Sequence, residues 1–272
     1  MKKLLTYLLV STAMFMLTAC AGMQTGTSKS PVLDRIVLNG ELVVGTAASM
    51  PPLNMTTRDG EVIGMEMDLA RAMADAMGVK LNTKVMQFHE LLPALEGGRI
   101  DMILSGMTIT SQRNMKVAFV GPYFISGKGI LTKLSSLAEA QTPEDIQDPR
   151  KSIVALRGST SEQFVKDNLP QVKLVTANSY DEAIDMVIND KVDGLLADYT
   201  ICVVSIFRYP EAGLLTVVNP LTYEPIGIAL PANDPLFVNW TDNFLKTLKG
   251  NGALEELTGK WFENSDWMSR LP

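Results

Sequence analysis

With 272 residues, 46% of them hydrophobic and 20% charged, the chain carries enough apolar side chain for one large core or two smaller ones, which excludes a disordered protein. A net charge of −6 without any basic run excludes nucleic acid as the partner, because phosphate binding needs clustered Lys and Arg. One His, two Cys and no HExxH or CxxC leave no zinc ligand set and no base for a serine or cysteine triad, so no metal and no other cofactor is expected.

The chain opens with Lys2 and Lys3, then an apolar run from Leu4 to Leu17 that is short for a membrane span and ends at small residues. This predicts a signal peptide over 1–19. Leu17-Thr18-Ala19-Cys20 resembles a bacterial lipoprotein box, which implies lipidation of Cys20 and a site on the outer face of a membrane or in the periplasm. Residues 20–31 are small, polar and aperiodic, and predict a flexible tether. Once Cys20 is used, only Cys202 remains. It lies in the run Ile201-Cys202-Val203-Val204 and reads as a buried, inert thiol.

Beyond the tether, short aliphatic runs predict strands at 42–47, 79–86, 100–105, 152–156, 173–177 and 192–197. Amphipathic stretches predict helices at Met65–Met77, Tyr180–Ile188, Pro235–Leu248 and Ala253–Phe262. Strand-helix alternation implies parallel strands and an α/β fold. Ser159 with Glu162 and Ser179 with Glu182 match the capping box, Gly78 stands at a helix C-terminus, and Asp59-Gly60 marks a hairpin. Met65, Met67, Met73 and Met77 recur at helical spacing and are read as core packing.

One passage occurs twice. FHELLPALEGGRIDMILSGMT at 88–108 aligns without a gap on YDEAIDMVINDKVDGLLADYT at 180–200, sharing Glu90 with Glu182 and Asp101 with Asp193. Each copy reads as helix, turn and buried strand, so the chain contains two similar α/β units. The copies diverge after the strand, where open α/β sheets bind ligands, which would set Thr108 and Asp198 on opposite walls of a cleft. A chain that leaves one lobe and returns to it makes two adjacent crossings, a hinge.

SGMTITSQRNMKVAFVGPYF at 105–124, GMEMDLARAMADAMGV at 64–79, LRGSTSE at 156–162, DGLLADYT at 193–200 and GIAL at 227–230 together resemble the bacterial extracellular solute-binding proteins of polar amino-acid ABC transporters. The resemblance spans Leu42 to about Phe262 and implies a two-lobed periplasmic-binding-protein fold of type II that closes on an amino acid and delivers it to a membrane permease. The lobes it implies are 32–125 plus the return segment 226–272, and 126–225, in a monomer. It puts the ligand α-carboxylate on Arg113 and on the segment of Gly158, Ser159 and Thr160, and the α-ammonium on Asp198 with the Gly106 carbonyl and the Thr108 hydroxyl. A two-pronged guanidinium suits a carboxylate, and a desolvated ammonium needs an anion.

The chain departs from the family around residues 46–54, where Ala47, Met50 and Leu53 stand in place of an Asp and aromatics. With Phe88 and Tyr123 as the remaining aromatic candidates, the wall is aliphatic, which favours a neutral or apolar amino acid. Glu224, Arg157 and His89 stay open as polar partners of the ligand, although His89, the single His, reads as a solvated surface residue. Some chains resembling this family are cyclohexadienyl or arogenate dehydratases. That alternative needs a general acid, with Glu224, Glu162 or His89 as candidates. A ligand-sensing module is a third reading.

Overall fold

The computed structural model describes residues 30–272. The leader, Cys20 and all but the end of the 20–31 segment lie outside the described residues. Ser30 and Pro31, expected at the end of a tether, are part of the folded body. The Ser30 hydroxyl donates to Asp234 at 2.6 Å, and Pro31 opens a helix, Pro31–Asn39, that closes at Gly40 in the left-handed conformation. Pro at the first position and Gly just past the end are the residues such a helix favours.

Two α/β lobes carry the chain. The first sheet contains β1 (Glu41–Thr46), the two outer strands β5 (Lys80–Val85) and β7 (Val117–Ser126), β6 (Met102–Ile103), and β13 (Glu224–Pro231), in the order β5-β1-β6-β13-β7. A small meander of β2 (Ser49–Met50), β3 (Asn54–Thr56) and β4 (Val62–Ile63) sits beside it. The second sheet is β10-β9-β11-β8-β12, made of β8 (Lys128–Thr132), β9 (Ser152–Leu156), β10 (Lys173–Ala177), β11 (Gly194–Asp198) and β12 (Leu215–Thr216).

The sheets are built alike but are not all-parallel. In each, three parallel strands are followed by an antiparallel neighbour, β13 against β6 in the first and β8 against β11 in the second. The fourth strand of the first sheet is thus supplied by the chain as it returns from the second lobe. It pairs antiparallel with β7, Glu224 opposite Ser126, so the two strands that join the lobes lie side by side.

The central strands of the second sheet, β8, β9 and β11, are buried on both faces, as their apolar runs require. Successive residues point to opposite faces. Ile130, Ile153 and Leu196 enter one apolar cluster with Val165 and Leu169, while Leu131, Val154 and Leu195 enter another. In the first lobe the helix Met65–Met77 packs Met65, Met67, Leu69 and Met73 into the core and ends at Gly78, φ 68°. The methionine stripe is therefore packing.

The duplicated passage folds as two copies of one unit. Its helices are Phe88–Glu96 and Tyr180–Ile188, and its strands begin at Met102 and Gly194. The shared Asp has a structural cause: Asp101 accepts from the Val43 amide at 2.8 Å and Asp193 from the Ser152 amide at 2.8 Å, so each fixes the adjacent parallel strand at its start. The capping boxes are shifted by one residue. Ser159 and Ser179 accept from the amides of Glu162 and Glu182, but those carboxylates reach back to Gly158 N and Asn178 N, one residue ahead of the cap. The Asp59-Gly60 hairpin forms between β3 and β4, with Gly60 at φ 81°.

Candidate functional site

The segments after β6 and β11, after β1, and at the start of the helix Thr160–Asn168 converge between the lobes on a narrow cavity. Of the residues expected from the sequence, Met50, Phe88, Gly106, Thr108, Arg113, Ser159, Thr160 and Asp198 line it. Leu53 does not. The turn between β2 and β3 sends its side chain into the core, where it is fully buried. Ala47, Ser49, Ser105, Leu156 and Tyr180 complete the lining.

The lobes touch across the cleft. Thr108 Oγ1 and Thr160 Oγ1 are 3.5 Å apart. Arg113 sits on a single helical turn, Ser111–Asn114, capped by the Thr110 hydroxyl, which accepts from the Arg113 amide. Its guanidinium donates to the Thr108 carbonyl at 2.9 Å and to the Gly158 carbonyl at 3.1 Å, and lies over the Phe88 ring at 5.6 Å. A guanidinium has five N–H donors in a planar fork, so these two bonds hold its plane while leaving donors for an anion. Burial draws its pKa down, and the charges of Glu224 and Asp198 draw it back up.

Asp198 ends β11 with 7% exposure. Tyr180 donates to its Oδ2 at 3.2 Å, while Oδ1 is buried and accepts no hydrogen bond among the described residues. The neighbouring Ser126 hydroxyl lies within reach of both Asp198 and the Gly127 carbonyl. Burial raises the Asp198 pKa, Lys128 opposes the rise, and Glu224 adds to it. A buried carboxylate is costly, and an ammonium is the group that best relieves that cost.

Gly106 is fixed from behind by a residue that periodicity could not single out. Glu66, in the first turn of Met65–Met77, is fully buried and accepts from the Gly106 amide at 2.7 Å, from Asn54 Nδ2 at 2.6 Å and from the Tyr123 hydroxyl. Tyr123 is therefore a support beneath the cleft, not part of its wall. Gly106 is left-handed, φ 60°, and a Cβ there would lie 2.1 Å from Met50 Sδ.

His89 is half-buried against Gly158, where an added Cβ would come within 2.8 Å of His89 Cβ, so it belongs to the contact between the lobes and not to a solvated surface. Cys202 is buried, and burial pushes its thiol up to about 12, the behaviour of an unreactive group.

A guanidinium and a carboxylate on facing walls, with a helix N-terminus between them, suit a zwitterion. Residues 42–264 match the model for bacterial extracellular solute-binding proteins, family 3. The chain is 27% identical over 221 residues to the ABC transporter arginine-binding protein 1 of Escherichia coli, covering 80% of this chain and 89% of that one. It is 26% identical over 263 residues to the cyclohexadienyl dehydratase of Pseudomonas aeruginosa, 97% of both chains. A putative ABC-transporter binding component from Wolinella succinogenes, solved with lysine, superimposes with a TM-score of 0.79 at 36% identity, over 85% of this chain and 99% of that one. Among the described residues no helix is long and apolar enough to cross a membrane.

Proposed function

The chain belongs to the bacterial extracellular solute-binding proteins, family 3, and from the chemistry of its cleft we propose that it captures a free, neutral amino acid and hands it to an ABC importer. Arg113 and the first amides of the helix Thr160–Asn168 receive the α-carboxylate; Asp198, the Gly106 carbonyl and the Thr108 hydroxyl receive the α-ammonium. The observation that carries this reading is the buried carboxylate of Asp198 in the same cavity as the Arg113 guanidinium. The preference for a neutral side chain rests on the lining of Ala47, Met50, Phe88 and Leu156, and on the absence among the lining residues of any carboxylate besides Asp198.

In this proposal the segments 32–125 with 226–272, and 126–225, move as two bodies about the paired strands at Ser126 and Glu224, as a monomer. The leader is removed and Cys20 is lipidated, which keeps the receptor beside its permease. The dehydratase reading fits the site less well. Burial favours a proton on Glu224, but Lys128 and the Thr108 and Thr222 hydroxyls together outweigh it and hold that carboxyl below its ordinary range; Lys166 and the Gly158 amide, among other neighbours, do the same for Glu162. Neither is poised to give a proton at neutral pH.

The test is a thermal-shift screen of ligand-stripped protein against the proteinogenic amino acids, alongside an absorbance assay with prephenate and arogenate. A ligand at 100 times its Kd stabilises by about 2.7 kcal/mol. Stabilisation by neutral amino acids without turnover supports the proposal; turnover of either acid contradicts it.

A further inference from the structure

Two buried charges behind the cleft take no part in the contacts proposed above. Lys128 opens β8 and is 2% exposed, a cationic side chain as buried as the apolar core around it. Its ammonium lies 3.0 Å from Glu224 Oε1 and donates to Thr160 Oγ1 at 2.8 Å. Glu224 in turn accepts from the Thr160 hydroxyl at 3.1 Å and from the Thr222 hydroxyl at 3.1 Å. Glu224 faces Ser126 where the two joining strands meet, so the pair sits at the root of the hinge.

A buried lysine is rare without a partner, and a paired one is not by itself a source of stability, since two charges must be desolvated to form it. Such a pair calls for another explanation. Thr160 and Thr108 line the cavity and meet across it, and Thr160 is bonded to both members of the pair. Thr160 therefore links the pair to the cavity. The Thr160 hydroxyl accepts a hydrogen bond from Lys128 and donates one to Glu224, so its own polarity is largely spent on the pair.

The cleft and its floor then hold two cations, Arg113 and Lys128, and two anions, Asp198 and Glu224. A zwitterion with a neutral side chain uses Arg113 and Asp198 and leaves the balance intact. A cationic side chain would find its nearest spare carboxylate, Glu224, already neutralised, and an anionic one would find Lys128 already taken. We propose that the Lys128–Glu224 pair is a specificity-determining element that selects against charged side chains by cancelling both charges at the floor of the cleft. The inference rests on the amino-acid reading above.

The test is calorimetric titration of Glu224→Gln, Lys128→Met and the double variant with glutamine, arginine and glutamate, each folded state checked by thermal unfolding. Glu224→Gln leaves an uncancelled cation and should raise glutamate affinity relative to glutamine, and lower that of arginine, on the order of tenfold. Lys128→Met should do the reverse, and the double variant should bring both ratios back toward wild type. If Lys128→Met does not fold, Glu224→Gln decides alone. Ratios within about twofold of wild type in Glu224→Gln would overturn the charge filter. Wild-type protein that binds no amino acid would instead overturn the underlying reading, and the filter with it.

Discussion

The Arg113 guanidinium donates to the Gly158 carbonyl, 3.1 Å away on the opposite lobe. The residue assigned to the ligand carboxylate thus also bridges the two walls, so binding and closure share one side chain. Arg113→Ala is expected to lose measurable affinity, roughly 2–5 kcal/mol for one partner of a desolvated charge pair. Calorimetry with the best ligand of the screen checks this, and thermal unfolding of the ligand-free variant should change little.

Asp198→Asn should separate binding from folding more sharply. The native carboxylate is buried, so the neutral amide removes a desolvation cost from the ligand-free protein while removing the anion the ammonium needs. The expected outcome is abolished binding with ligand-free thermal stability equal to or above wild type.

The pH dependence follows from the directions of three shifts. Burial chiefly raises Asp198 above 3.8 and Glu66 above 4.5. The folded chain therefore keeps protons that the unfolded chain has released, and the contribution of these two groups to stability falls as pH rises through their folded values. Glu224 goes the other way. Burial opposes its ionisation, but Lys128 and the hydroxyls around it win, so its stabilisation is present above 4.5 and is lost as pH falls through its lowered value. Since the ammonium requires ionised Asp198, affinity should weaken on acidification before pH 3.8 is reached. Titrations across pH 4 to 7 would show this loss.

Gly106→Ala tests the support behind the cleft. The left-handed backbone costs a non-glycine residue roughly 1–2 kcal/mol, and the added Cβ meets Met50 Sδ at 2.1 Å. Lower thermal stability together with weakened binding is expected, whereas a neutral outcome in both would contradict the role given to this turn.

Much of the fold was legible because its signals are local. The helix Met65–Met77 begins and ends where the methionine spacing and Gly78 set it, and the repeated passage gives two helices and two strands in register. The matching Asp101 and Asp193 carried less functional information than their repetition suggested, since both serve the backbone of a neighbouring strand. Parallel and antiparallel order was not legible, because β13 completes the first sheet from far along the chain.

The cleft residues came through resemblance, while their supports did not. Glu66, Tyr123, Lys128 and Glu224 acquire their roles only when distant segments meet: a Glu in a helix first turn and a Lys opening an apolar strand look alike whether solvated or buried. Leu53 was misplaced because a two-residue strand followed by a turn reverses the side-chain alternation over a few positions.

The most direct measurement is calorimetric titration of ligand-stripped wild-type protein with the proteinogenic amino acids, repeated with their α-amides and α-deaminated analogues. The account predicts saturable binding of a neutral amino acid at one site, and loss of binding when either the carboxylate or the ammonium is removed. Binding that survives removal of both groups, or no binding by any amino acid, would contradict it.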